Sequence, residues 1–330
     1  MSEIKFSFST DRATNLFFFV SNLSNWHYSC RPWSNRYWIE KTGELSKEEE
    51  NRLALVKNIF QKHTYGEKYW GKIFLDMEIE DKWKKAENLL SGEDISELKK
   101  ACGLLKPRFD KIWEEDEQLL IKWKEQLLES TQKYTPNELV EKLNILFQKK
   151  PESDFVRVFL FVSGPNNSAS GGANVGSGKI TLEMSRTPHQ FLRPVWMTLW
   201  HEAIHMLWER NSKYLGMLRE FCDGLNVKRD NFFPDGVSFG EVMKEAIMES
   251  MIPHGYVSQK YFGFPSDDYY ASTKFTSEIN MRNWRIFSGN KLRPVVSEYF
   301  EKEKPIDREL LEEVMKCLEE FVTQFGKDKD

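Results

Sequence analysis

Pro194–Arg210, PVWMTLWHEAIHMLWER, is the stretch that decides how the rest of the chain is read. Within it, His201-Glu202-Ala203-Ile204-His205 matches H-E-x-x-H. Residues four apart on a helix share a face, so His201 and His205 aim two imidazoles at one point. Glu202 projects beside them. Two neutral nitrogen ligands and an adjacent carboxylate are what a zinc ion and its water require. With only 6 His in 330 residues, a chance match is improbable. The flanking Trp196, Met197, Leu199, Trp200, Ile204, Leu207 and Trp208 make the segment apolar on nearly every side, which marks a buried helix. Burying two imidazoles and a carboxylate is costly unless they are paired, hydrogen-bonded or bound to metal. Metal is the better reading than two ordinary core histidines.

Outward from this helix, composition narrows the class. Hydrophobic residues at 40% and aromatics at 14% indicate a globular chain with a bulky core. A net charge of -4 gives no electrostatic case for nucleic acid. Cys30, Cys102, Cys222 and Cys317 are scattered with no C-x-x-C pair, which fits a reducing compartment better than a disulfide framework. The apolar run Phe17–Val20 is too short for a signal peptide core, and no other stretch is long enough to span a membrane. The expectation is a soluble, cytoplasmic protein with no membrane and no nucleic-acid partner.

The chain falls into two regions: 1–150, mainly helical, and 151–330, which carries the metal helix, although both can belong to one continuous domain. In the first, KFSFS alternates like a short strand and the rest of 1–45 has no long period. Ser46-Lys47-Glu48-Glu49 is a capping box opening a helix to about His63. Helical patterns follow at about 67–76, 80–91, 94–105 and 107–130, and Thr135-Pro136-Asn137-Glu138 opens another to about Lys149. In the second region, Asp154–Ser163 and Lys179–Met184 read as strands joined by the glycine-rich loop Gly164–Gly178. That loop lacks the G-x-x-x-x-G-K-[ST] spacing of a phosphate loop. Gly171, Gly172, Ala173 and Asn174 are the candidate edge strand for extended substrate backbone, the alternative being a plain hairpin loop. Helices are expected near 213–225, 239–251 and 307–326, with 253–273 irregular.

A catalytic zinc site needs a third protein ligand. Phe239–Met251, FGEVMKEAIMESM, stacks Glu241, Glu245 and Glu249 at successive turns. Such carboxylates repel one another unless a cation lies nearby. At this point the chain resembles the gluzincins, zinc metallopeptidases with H-E-x-x-H on one helix and a glutamate ligand on a later one. HEAIH supplies the first part, and Glu245-Ala246-Ile247-Met248-Glu249 is similar to the second. The resemblance covers about residues 154–255. It implies a zincin-like core with a small mixed or antiparallel sheet; with the helical patterns of the N-terminal region, which the resemblance leaves unmatched, the expected fold is α+β and mostly helical. It also implies one Zn2+ held by His201, His205 and Glu245, with Glu202 as general base and Glu249 orienting a histidine; Glu241 is the rival third ligand. The interval between His205 and Glu245 is longer than in the best-known members. Gly171-Gly172-Ala173-Asn174 resembles the edge-strand motif of gluzincin aminopeptidases without its glutamate, so an amine-binding exopeptidase site has no support.

The expected activity is hydrolysis of peptide or protein substrates. His254 and Tyr256, in PHGY after the ligand helix, are the candidates to stabilise the oxyanion. The rival is a non-catalytic binding or scaffold protein on a zincin-like fold, with zinc structural or absent. Glu202 favours the enzyme, because a purely structural site has no use for it.

Overall fold

The computed structural model describes residues 4–27, 30–63, 70–77, 79–133, 137–162, 170–174, 178–186, 188–210, 212–225, 233, 237–253, 255–263 and 279–325. The protein is mostly helical with one small sheet, and its contacts divide it into two compact units. One comprises Lys5–Thr131 and Phe155–Trp196; the other comprises Met1–Ile4, Gln132–Asp154 and Met197–Asp330.

The first unit holds strands β1 (Lys5–Ser9), β2 (Phe155–Val162), β3 (Ser170–Asn174) and β4 (Lys179–Met184), in the order β1-β2-β4-β3. β1 and β4 both run parallel to β2, with Phe8 opposite Val158 and Leu160 opposite Leu182. β3 lies at the edge, antiparallel to β4, with Gly171 opposite Leu182. The sheet is therefore mixed; the wholly antiparallel alternative is wrong, because β2 reaches both its neighbours through long crossovers. Val156, Val158, Phe159, Leu160 and Val162 are buried. That near-continuous apolar run is what a central parallel strand needs when both faces are covered.

Around the sheet lie α1 (Arg12–Leu23), α2 (Pro32–Thr42), α3 (Lys47–Lys62), a 3-10 turn (Trp70–Leu75), α4 (Lys82–Ala86) and α5 (Gly92–Lys133). Ser46 and Glu49 form the reciprocal capping box at the start of α3. α5 is one helix and runs through Pro107, where a break is expected. A proline inside a helix costs about 3 kcal/mol. The unbroken buried stripe Leu98, Ala101, Leu105, Phe109, Ile112, Trp113, Leu120, Trp123 and Leu127 outweighs that. Trp123 Nε1 donates to the Ser185 carbonyl at 2.7 Å, just past β4.

The second unit holds α6 (Asn137–Leu146), α8 (Lys213–Gly224), α9 (Phe239–Met251), α10 (Tyr256–Phe262), α11 (Met281–Glu301) and α12 (Arg308–Phe325). It also contains the C-terminal part of α7 (Pro188–Ile204), which continues into a π-helical turn, His205–Glu209. α10 falls in the stretch expected to be irregular; residues 264–273 of that stretch lie outside the described residues. α11 packs along α9. Trp200, Trp208, Phe239, Trp284 and Phe321 are almost completely buried and fill the core. Two of the indoles are also pinned: Trp208 Nε1 donates to Asn144 Oδ1 at 2.9 Å and Trp284 Nε1 to the Val242 carbonyl at 2.8 Å. No helix among the described residues is long and apolar enough to cross a membrane. All four cysteines are buried and none is in a disulfide.

Candidate metal centre

α7 is apolar over most of its surface, and Val195, Leu199, Trp200, Ala203 and Ile204 lose all contact with water. Helical spacing then places His201 and His205 on one face, with their Nε2 atoms 3.1 Å apart. α9 faces them. Ser238 caps it by accepting from the Glu241 amide at 3.2 Å, and Val242, Met243, Ala246, Ile247 and Met248 anchor it in the core. Glu245 is thereby buried against both rings. Its Oε1 lies 3.3 Å from His205 Nε2 and its Oε2 3.7 Å from His201 Nε2. His201, His205 and Glu245 each offer a ligand atom within 4.8 Å of the others, so the cluster could hold a metal ion. Two nitrogens at about 2.0–2.1 Å from a tetrahedral zinc would stand about 3.3 Å apart, close to the spacing between these two rings.

The outward nitrogens decide the chemistry. His205 Nδ1 lies 2.6 Å from Glu209 Oε2, and His201 Nδ1 lies 3.2 Å from the Ile252 carbonyl. Both partners accept hydrogen bonds, so both Nδ1 atoms carry protons, and when the rings are neutral both Nε2 atoms present lone pairs to each other. A carboxylate oxygen joins them at the same point. Three acceptors converging in a buried space need a positive charge, either a proton or a metal ion.

The titration behaviour agrees. Burial pushes His205 down, but Glu209 and Glu245 together outweigh it and hold the ring well above the ordinary histidine range. His201 moves the other way, lowered by burial and by the charge on His205. Glu245 is buried, which favours its neutral form, yet Arg285 and the two histidines hold it well below the usual carboxylate range. Arg285 Nη2 stands 2.8 Å from Glu245 Oε2 but directs no N–H at it, and that oxygen has no hydrogen bond among the described residues. A buried carboxylate oxygen with an unused lone pair beside two imidazole nitrogens, of which His205 carries a proton while no metal is bound, is a donor set that could hold a cation.

The remaining expected residues are placed as follows. Glu202 is half-buried on α7, and its charge acts on Arg285. Glu241, the rival ligand, is tied to Lys244 at 2.7 Å and lies outside the cluster. Glu249 is buried with Oε1 3.7 Å from Arg285 Nε, while the outward nitrogens of both histidines are met by Glu209 and Ile252. Tyr256 donates its hydroxyl to Glu301, which Lys260 also engages at 2.8 Å. His254 lies outside the described residues. Gly171–Asn174 lie in the edge strand β3.

Three participants have no place in the motif. Glu209 is one, four residues beyond His205, a spacing that could have signalled it. It is 5% exposed, and its Oε1 lies 3.2 Å from Lys244 Nζ. Burial raises Glu209, but His205 and Lys244 hold it below its ordinary value. Lys244 is the second, sitting between the acids of α9. The third is Arg285 on α11, remote in sequence and marked by no pattern. No family model, curated protein or solved structure matches this chain.

Proposed function

We propose that this chain is a zinc-dependent metallopeptidase of the gluzincin kind, acting on peptide or protein substrates. One observation carries the reading: both Nδ1 atoms are committed to acceptors, which leaves two Nε2 lone pairs and a buried carboxylate oxygen converging on one point. Two imidazoles and a carboxylate are a donor set suited to zinc. His201, His205 and Glu245 would hold the ion. Bound there, zinc supplies Lewis acidity, acidifying water and polarising a carbonyl.

The chain's own residues do the rest. Glu209 and the Ile252 carbonyl fix the rings in the tautomer that frees Nε2. Glu202, next to His201 and half-buried, takes a proton from the attacking water and passes it to the leaving amine as the C–N bond breaks.

The Arg285–Glu245 ion pair favours one rival, a non-catalytic scaffold in which a guanidinium balances the carboxylate. Zinc-loaded wild type and E202Q, assayed on a peptide library, separate the two. The peptidase reading requires cleavage by the wild type, and loss of cleavage in E202Q with zinc retained. Undiminished turnover in E202Q removes Glu202 from its role, and a zinc-loaded wild type that cleaves nothing favours the scaffold.

A further inference from the structure

Peptide hydrolysis builds negative charge on the carbonyl oxygen, and a positioned donor that meets this charge is worth a large factor in rate. Of the two candidates from the sequence, Tyr256 is engaged with Glu301, and His254 lies outside the described residues. Two cations border the cluster. Lys244 is spent between Glu209 at 3.2 Å and Glu241 at 2.7 Å. Arg285 is different. Its side chain is 44% exposed although it pairs with Glu245, whose side chain is 6% exposed. It therefore joins the buried cluster to solvent.

Two of its three nitrogens face acids as ion pairs without a hydrogen bond, Nη2 at 2.8 Å from Glu245 Oε2 and Nε at 3.7 Å from Glu249 Oε1. Nη1 has no partner among the described residues. The preceding residue, Trp284, is fully buried and bonded to the Val242 carbonyl, which fixes this turn of α11 against the ligand helix. A guanidinium held near the cluster by charge, with N–H groups not committed to hydrogen bonds among the described residues, offers donors to a developing anion.

Resting on the peptidase reading, we propose that Arg285 is a catalytic residue whose Nη1 donates to the carbonyl oxygen as that oxygen becomes an anion. The attacking water's oxygen bonds to the carbonyl carbon, and the C=O π pair moves onto the oxygen facing Arg285. It returns when the C–N bond breaks. Arg285 gives up no proton, since a guanidinium stays charged throughout.

Inorganic phosphate, a tetrahedral oxyanion, probes this without turnover. Zinc-loaded wild type, R285K and R285Q are titrated with phosphate by calorimetry, with zinc content measured on each. The expected result is phosphate binding by wild type, weakened roughly tenfold or more in R285Q and less in R285K, with zinc retained in all three. On a cleaved peptide, kcat falls by roughly 10²–10³ in R285Q while KM changes little. Equal phosphate affinity in zinc-loaded wild type and R285Q overturns the role of Arg285 and leaves the metal reading standing, as does a zinc-loaded wild type that ignores phosphate. Should R285Q fail to fold, R285K decides, and phosphate affinity unchanged there is contradictory. A wild type that takes up no zinc overturns both.

Discussion

Glu209 Oε2 lies 2.6 Å from Nδ1 of His205, across a single π-helical turn. The Arg210 amide bonds back to the His205 carbonyl at 3.2 Å, five residues earlier, which widens the turn. Within that turn a buried carboxylate grips the ring whose other nitrogen would bind the proposed metal. Glu209→Gln is expected to weaken metal affinity by roughly 10–100-fold with the fold intact. Competition with a chromophoric chelator measures this; an unchanged affinity would mean that Glu209 does not orient the ring.

In the proposed metal site, protons and metal would compete for the same point. Without metal, the raised His205 carries a proton that its Nε2 can share with His201 Nε2 at 3.1 Å. Metal uptake must displace it, so affinity climbs with pH, by about tenfold per unit while one proton is lost. Stability runs the opposite way. A histidine raised in the folded state contributes stability that is complete below about pH 6.5 and lost as pH rises through the elevated value. Metal-free protein should therefore lose stability from this group above neutrality, and metal should restore it. Melting curves from pH 6 to 9, with and without zinc, show whether the two trends diverge.

Gly255 is a close-approach position. A Cβ there would sit 1.9 Å from the Ser250 carbonyl oxygen and 2.6 Å from the Met251 nitrogen, both backbone atoms. The backbone cannot yield cheaply, and its neighbour Ile252 supplies the carbonyl that holds His201. Gly255→Ala should cost about 1–3 kcal/mol and loosen the metal as well. Denaturant titrations with and without zinc test both parts.

Far from α9 in sequence, Arg108 of α5 ties down the start of α3. It reaches Glu49 with Nε at 2.5 Å and Nη2 at 2.8 Å, and also bonds the Gly43 and Glu44 carbonyls. The guanidinium, with help from the Ser46 amide, holds Glu49 down at about 2 against the effect of burial. A depressed carboxyl stabilises the fold above its unfolded value, near pH 4.3, and that contribution vanishes as pH falls toward 2. Glu49→Gln should lose about 1–3 kcal/mol at pH 7 and nothing near pH 2. A deficit independent of pH would contradict the ion pair.

What the sequence discloses here follows how local each cause is. The Ser46–Glu49 box, the apolar strands β2 and β4 and the HEAIH face are set by residues within a few positions of one another. α1 and α2 lack a long apolar period, and their formation depends on burial of residues such as Phe17, Phe19 and Trp38. α11 carries Gly289 and Pro294, which mask a helix held by Trp284, Leu292 and Val296 in the core. The break expected at Pro107 loses to packing on either side of it. At the site, HEAIH announces itself by spacing, whereas Glu245 is singled out from Glu241 and Glu249 only through the resemblance to gluzincins. Arg285 arrives from a separate helix through tertiary packing alone, and the Ile252 carbonyl has no side-chain signature at all.

The most direct test is the metal content of purified protein, wild type beside Glu245→Ala. Three side chains converging on one divalent ion predict one zinc per chain in the wild type and its loss, or easy removal by a chelator, in the variant. A wild type without zinc, or a variant that keeps it equally tightly, would contradict the account.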